Sequence, residues 1–143
     1  MKRFFALALA GLLLLACAGC GGNAGKTNNV RVIGGESTKF SPAEIEAAQD
    51  CVLKKFKDFE GCDLEKLWYD EEYSEARIER YMSTGNGSEN GVAKDNVIIL
   101  LSDFHVDSTG GGGFSPDTDC TDWNWILIRD DKSDAWRVDD WGY

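Results

Sequence analysis

The sequence predicts a single α+β domain over residues 40–143, with one long N-terminal helix and a second, short helix packed on an antiparallel sheet. Three stretches carry that prediction. FSPAEI opens an amphipathic helix. NVIILLSDFHVD, residues 96–107, is the longest apolar run beyond the N-terminal leader and suits a central strand. The closing DWNWILIRDDKSDAWRVDDWGY, residues 122–143, sets two apolar-rich runs around a polar turn and reads as a hairpin. A hairpin so rich in Trp is not stable alone in water, so the preceding elements must cover one of its faces.

The N-terminus places the chain before it says anything about fold. Residues 1–16, MKRFFALALAGLLLLA, carry two basic residues, an apolar run too short to span a bilayer comfortably, and a small residue before Cys17, the pattern of a secretory signal. Leu14-Leu15-Ala16-Cys17 resembles the lipobox of bacterial lipoproteins, in which the signal is cut before a diacylated Cys. Cys17 is therefore the expected lipid attachment site, with Cys20 as the alternative because Ala18-Gly19 precedes it. Acyl chains at about 0.8 kcal/mol per buried methylene anchor such a protein to the extracytoplasmic face of the membrane.

Cleavage before Cys17 removes Lys2 and Arg3 and leaves 13 basic against 25 acidic residues, a net charge of −12. A surface this acidic repels phosphate backbones and anionic headgroups, so nucleic-acid binding is excluded and lipid rather than charge holds the chain to the membrane. Residues 17–39, the lipidated Cys followed by a Gly- and Asn-rich stretch, read as a flexible tether, with Val30 to Ile33 as a stray edge strand at most. The remaining 100 or so residues suffice for one small domain and no more.

The first helix starts at Ser41 as N-cap, with Pro42 in the first helical position, Glu44 completing the capping box, and Phe40 and Ile45 as hydrophobic staple. Ile45, Ala48, Val52, Phe56 and Phe59 form its apolar stripe, and Gly61 stops it. CDLEKLWY, residues 62–69, alternates imperfectly and reads as a strand, a second short helix being the alternative. Ser74 then caps EARIERYM, and STGNGSENG, residues 83–91, is a loop. In the central strand one face carries Ile98, Leu100, Phe104 and Val106, whereas the other passes from Val97, Ile99 and Leu101 to Asp103, His105 and Asp107. STGGGGFSPDTDCTD is too long and Gly-rich for a tight turn. In the hairpin, pairing of Asp130 with Ala135 puts Trp125, Leu127, Trp136 and Val138 on the drier face, and Ile126, Ile128, Arg137, Asp139 and Trp141 on the other.

Candidate chemistry is sparse, and nothing in the chain names a reaction. Asp103, His105 and Asp107 share a strand face and form the one arrangement that resembles an acid/base site; polar residues fraying at a strand end are its ordinary explanation. Asp117, Asp119 and Asp122 alternate like ligands of a calcium loop, without the Gly and Glu of an EF-hand at their places. Trp125 and Trp136 are ligand-pocket candidates, set against plain core packing. Gly110 to Gly113 lacks the Gly-Lys-Ser/Thr ending of a phosphate loop. Cys51, Cys62 and Cys120 allow one disulfide and one free thiol in an exported protein, and the sequence does not choose among the three pairings. With one His and no Cys-x-x-Cys apart from Cys17 and Cys20, no metal site and no cofactor are implied.

The order of a capped helix, GCDLEKLWYDEEYS, VIILLSDFHVDSTGGGG, DWNWILIRDD and AWRVDDWGY resembles a family of bacterial lipoproteins that share a domain of unknown function. The resemblance implies a nuclear transport factor 2-like cone, helices in the concavity of a curved antiparallel sheet. That fold hosts isomerases, dehydratases and pure binding domains, so it selects no activity. The expectation is a lipid-anchored extracytoplasmic binding or interaction module of the bacterial envelope, whose partner is an envelope protein or a small molecule. The alternative is a small isomerase- or dehydratase-type enzyme using Asp103, His105 and Asp107 as acid and base.

Overall fold

The computed structural model describes residues 23–143; the leader and both candidate lipidation sites, Cys17 and Cys20, lie outside the described residues. In chain order the elements are β1 (Arg31–Ile33), α1 (Pro42–Phe56), β2 (Cys62–Tyr69), α2 (Glu71–Thr84), two 3-10 turns, β3 (Val97–Val106), β4 (Thr118–Ile128) and β5 (Arg137–Gly142). The strands form one open mixed sheet in the order β1-β2-β3-β4-β5. β1 runs parallel to β2, and every other neighbour is antiparallel.

The two helices lie on opposite faces of this sheet. Ile45, Ala48, Val52 and Phe56 of α1 cluster with Ile98 and Leu100 of β3, whereas Ile78 and Tyr81 of α2 cluster with Val97 and Ile99. Alternate residues of a strand point to opposite faces, so the two clusters are separated by the sheet itself. The resemblance implies both helices within one concavity; the run of five buried aliphatics from Val97 to Leu101 explains the difference, since a strand apolar on both faces needs cover on both. Nor is one helix long and the other short, at 15 and 14 residues.

α1 begins as its sequence dictates. Ser41 Oγ accepts from the Glu44 amide at 3.2 Å, and Glu44 Oε2 accepts from the Ser41 amide at 2.8 Å. Its turns end at Phe56, with Phe59 buried just beyond. α2 starts earlier than its sequence suggests, because Asp70 rather than Ser74 is the N-cap, accepting from the Tyr73 amide at 2.8 Å. Ser74 is buried one turn in, where its hydroxyl accepts from the Ile99 amide at 3.1 Å and ties α2 to β3. The helix continues to Thr84, into the stretch read as loop.

β2 is a strand whose uneven alternation comes from a bulge between Leu64 and Lys66, so Leu64 and Leu67 face the same core. The β4–β5 hairpin keeps the expected register at Ile128↔Arg137 and Leu127↔Val138, and then a bulge puts Ile126 opposite Asp140 and Trp125 opposite Trp141. Trp141 thereby moves to the face of Trp125, with ring centroids 6.4 Å apart, and leaves the face of Ile126.

The described part of the segment read as tether is paired rather than free. Lys26 bridges to Asp63, with the Lys26 amide on Cys62 O and the Leu64 amide on Lys26 O at 2.9 Å each, and Arg31 to Ile33 extend the sheet as β1. The Gly-rich connection after β3 is likewise fastened. Phe114 packs on Phe104 and Phe59, and Gly111 passes so close to the chain that a Cβ there would stand 1.8 Å from Glu60 O. Cys51, Cys62 and Cys120 are all free thiols. Cys62 and Cys120 sit on β2 and β4 with β3 between them, about 10 Å apart by strand spacing and beyond the reach of a disulfide.

Candidate functional site

Where α2 crosses the far end of β4 and β5, the sheet is left partly uncovered and an open pocket of about 260 Å³ remains. Ile99 and Ile126 give it an apolar floor, and Arg77 and Arg80, one helical turn apart on α2, stand over it with Asp140 of β5 across from them. The α2–β3 contacts through Ser74 and Ile78 set the height of the helix above this floor.

A chain of hydrogen bonds holds the polar rim. The Tyr73 hydroxyl donates to Asn124 Oδ1 at 2.9 Å, Asn124 Nδ2 donates to Gly142 O at 3.0 Å, and Arg77 Nε donates to the Tyr73 hydroxyl at 3.0 Å. The Arg77 guanidinium also lies over the Tyr73 ring, 5.3 Å from its centroid. One edge of that guanidinium is therefore fixed by protein, while the Arg80 guanidinium has no hydrogen-bond or ion-pair partner among the described residues. The Tyr81 hydroxyl is buried and donates to Asp139 Oδ2 at 2.6 Å; burial first, then the Asp139 carboxylate, pushes its pKa upward, so it stays protonated.

The residues marked out in the sequence meet in separate pairs rather than in one site. His105 Nδ1 is 2.6 Å from Asp119 Oδ1 on the neighbouring strand, and that bond raises the imidazole pKa. Asp103 accepts from the Asp122 amide at 3.0 Å and thereby holds a further bulge, in β4 where the β3–β4 register shifts between Ser102 and Phe104 and Asp122 has φ of 53°. Asp107 lies past the end of β3, accepting from Thr109 and from Asn23, bonds that lower its pKa. Asp117 has φ of 52° and donates its amide to Asp107 O. No group of three metal-ligating side chains occurs among the described residues. Trp125 is fully buried with its indole N–H on Ser102 Oγ at 2.8 Å. Trp136 donates to Glu44 O at 3.1 Å and lines a second, open groove of about 440 Å³ between α1 and the β4–β5 turn.

That groove is sealed at its base by structure rather than left ready for a ligand. Arg129, 2% exposed, pairs with Glu44 at 2.8 Å and lies 4.3 Å over the Trp136 ring, so its charge is already spent.

A family model described as a domain of unknown function (DUF4829) matches residues 43–142. The chain belongs to that family. No curated protein and no solved structure matches the chain. The DUF4829 match spans α1 to β5 and so takes in the pocket beneath α2, whose Arg77, Arg80 and Asn124 the sequence had not singled out. A sequence signal for the two arginines exists nonetheless. In a helix with four Glu residues, neither Arg77 nor Arg80 has an acidic residue three or four positions away, so neither can pair along the helix.

Proposed function

We propose that this DUF4829 protein is a lipid-anchored extracytoplasmic binding module of the bacterial envelope, with the pocket beneath α2 as its binding site. The observation that carries the reading is a pre-formed hollow with an apolar floor, two arginines without carboxylate partners among the described residues and a hydrogen-bonded rim, the features of a site that orients a ligand. The lipobox-like Leu14 to Cys17 supports the anchor. An enzyme working through Asp103, His105 and Asp107 has less support, since each of the three is engaged in a different structural contact. Kinship with nuclear transport factor 2-like proteins enters this reading through element order, a helix ahead of an antiparallel meander, and not through a shared pocket.

Native mass spectrometry of the full chain, released from membranes in detergent, tests the reading. A reproducible mass excess over the denatured protein is expected. Bare protein that also captures no partner on intact-cell crosslinking would overturn it. For the anchor, Cys17→Ala should abolish acylation and membrane retention; retained acylation would assign the lipid to Cys20.

A further inference from the structure

We infer that the pocket beneath α2 takes a small organic monocarboxylate, bound through the Arg77 and Arg80 guanidinium groups with its apolar body on Ile99 and Ile126. This rests on the binding-module reading and names the ligand class of that site.

Five cations are already paired. Arg129 and Arg137 are paired with Glu44 and Asp130, and Lys39, Lys55 and Lys94 with acidic neighbours. Eight of the 13 Lys and Arg among the described residues form no ion pair, and of the unpaired arginines Arg77 and Arg80 stand together over one hollow. Arg77 is the better prepared. Its Nε is held by the Tyr73 hydroxyl, which is itself held by Asn124, so the fork is oriented while its terminal amino groups remain available for a planar, two-point acceptor. Orientation paid in advance by the protein is not charged to the ligand on binding.

Charge and size narrow the class. Asp140 lines the same pocket and Asp139 stands behind Tyr81, so carboxylates offset part of the charge of the two guanidinium groups, which suits a monoanion and opposes the second charge of phosphate. Tyr81, kept protonated, adds no negative charge. The apolar floor asks for a hydrocarbon body that an inorganic anion lacks. At about 260 Å³ the hollow falls below the range of roughly 300–1,000 Å³ that accepts drug-sized molecules, so the ligand is small.

Benzoate is the probe. Titrated into the full chain in detergent and followed by the methyl resonances of Ile99 and Ile126, it should give saturable shifts. Arg77→Gln and Arg80→Gln should each weaken binding about tenfold, Arg77→Lys less, and uncharged benzamide should bind at least tenfold more weakly than benzoate. Backbone amide spectra of the variants confirm that they fold. Absence of saturable shifts with wild-type protein, equal benzoate affinity in the double variant, or displacement of benzoate by equimolar inorganic phosphate would each overturn the inference. The two proposals fail separately. A cell-derived mass excess that survives the double substitution places the ligand elsewhere and overturns this inference alone, whereas benzoate binding by a protein that carries neither ligand nor partner from cells overturns the binding-module reading alone.

Discussion

Arg129 and Glu44 form an ion pair of 2.8 Å that joins the turn of the β4–β5 hairpin to the first turn of α1, and the same Glu44 closes the capping box with Ser41. One carboxylate thus serves a local and a long-range purpose. The Ser41 amide is the largest influence holding its pKa below the usual carboxylate range, with Arg129 adding to it. By sign, this contribution is fully present above the unfolded value near 4.5 and is lost as pH falls through the lower folded one.

Replacing Glu44 separates the two purposes. Glu44→Gln keeps the capping geometry but leaves the buried Arg129 without its counter-charge, and should cost about 2 kcal/mol, discounted from the larger penalty of a wholly buried pair because Glu44 is partly exposed. Glu44→Ala should cost about 1 kcal/mol more through loss of the cap. Urea denaturation of both variants checks the order; equal stability of Glu44→Gln and wild type would show that the pair is neutral.

Ser74→Ala removes the acceptor of the Ile99 amide inside the α2–β3 interface. An orphaned buried donor costs roughly 1–3 kcal/mol, so the variant should lose that much by chemical denaturation. Amide exchange at Ile99 should quicken at the same time, and unchanged protection there would remove the hydroxyl from the account.

His105 should titrate above its ordinary value near 6.5, because its bond to Asp119 favours the charged ring. Asp119→Asn should bring it back toward that value, as read from the imidazole proton shifts. The pairing contributes below about pH 6.5 and is lost as pH rises through the higher folded pKa, so any stability difference between the two proteins must fade on the alkaline side.

All three domain thiols should be titratable after denaturation, and reductant should leave thermal stability unchanged. Cys62 should react slowly in the native protein, since burial above all, with Cys120 and Asp107 nearby, pushes its pKa up to about 11. A mass 2 Da short of the fully reduced chain would contradict the free thiols, and its localisation to Cys62 and Cys120 would contradict their strand separation.

Gly111→Ala should destabilise the protein by about 1–3 kcal/mol, because the added methyl group meets Glu60 O and the connection must lift. Increased solvent quenching of Trp123, against which Phe114 packs, would report the same displacement.

What could be read directly from the sequence was local. The capping box of α1 is complete within four residues, and the apolar run of β3 declares a central strand without reference to anything else. Asp70 and Ser74 have equal N-cap chemistry, and only the position of Ile99 on another element decides between them. The single extra residue at the β5 bulge reverses the face of Trp141, which an alternating pattern cannot foresee. The proposed site was hidden for a related reason. Its residues come from α2, β3, β4 and β5, and Arg77 and Arg80 differ from ordinary surface arginines through what they lack along the helix.

The pairing of Lys26 and β1 with β2 changes the length of the leash. Were residues 17–39 all slack, a lipid at Cys17 would let the domain roam up to about 75 Å from the bilayer, at roughly 3.3–3.6 Å per extended residue. Since the chain is already fastened where Asn23 accepts from the Gly61 amide, the proposed anchor leaves about six residues, or roughly 20 Å of stand-off. Under the proposed anchor the domain would be held close to the membrane surface rather than ranging far from it.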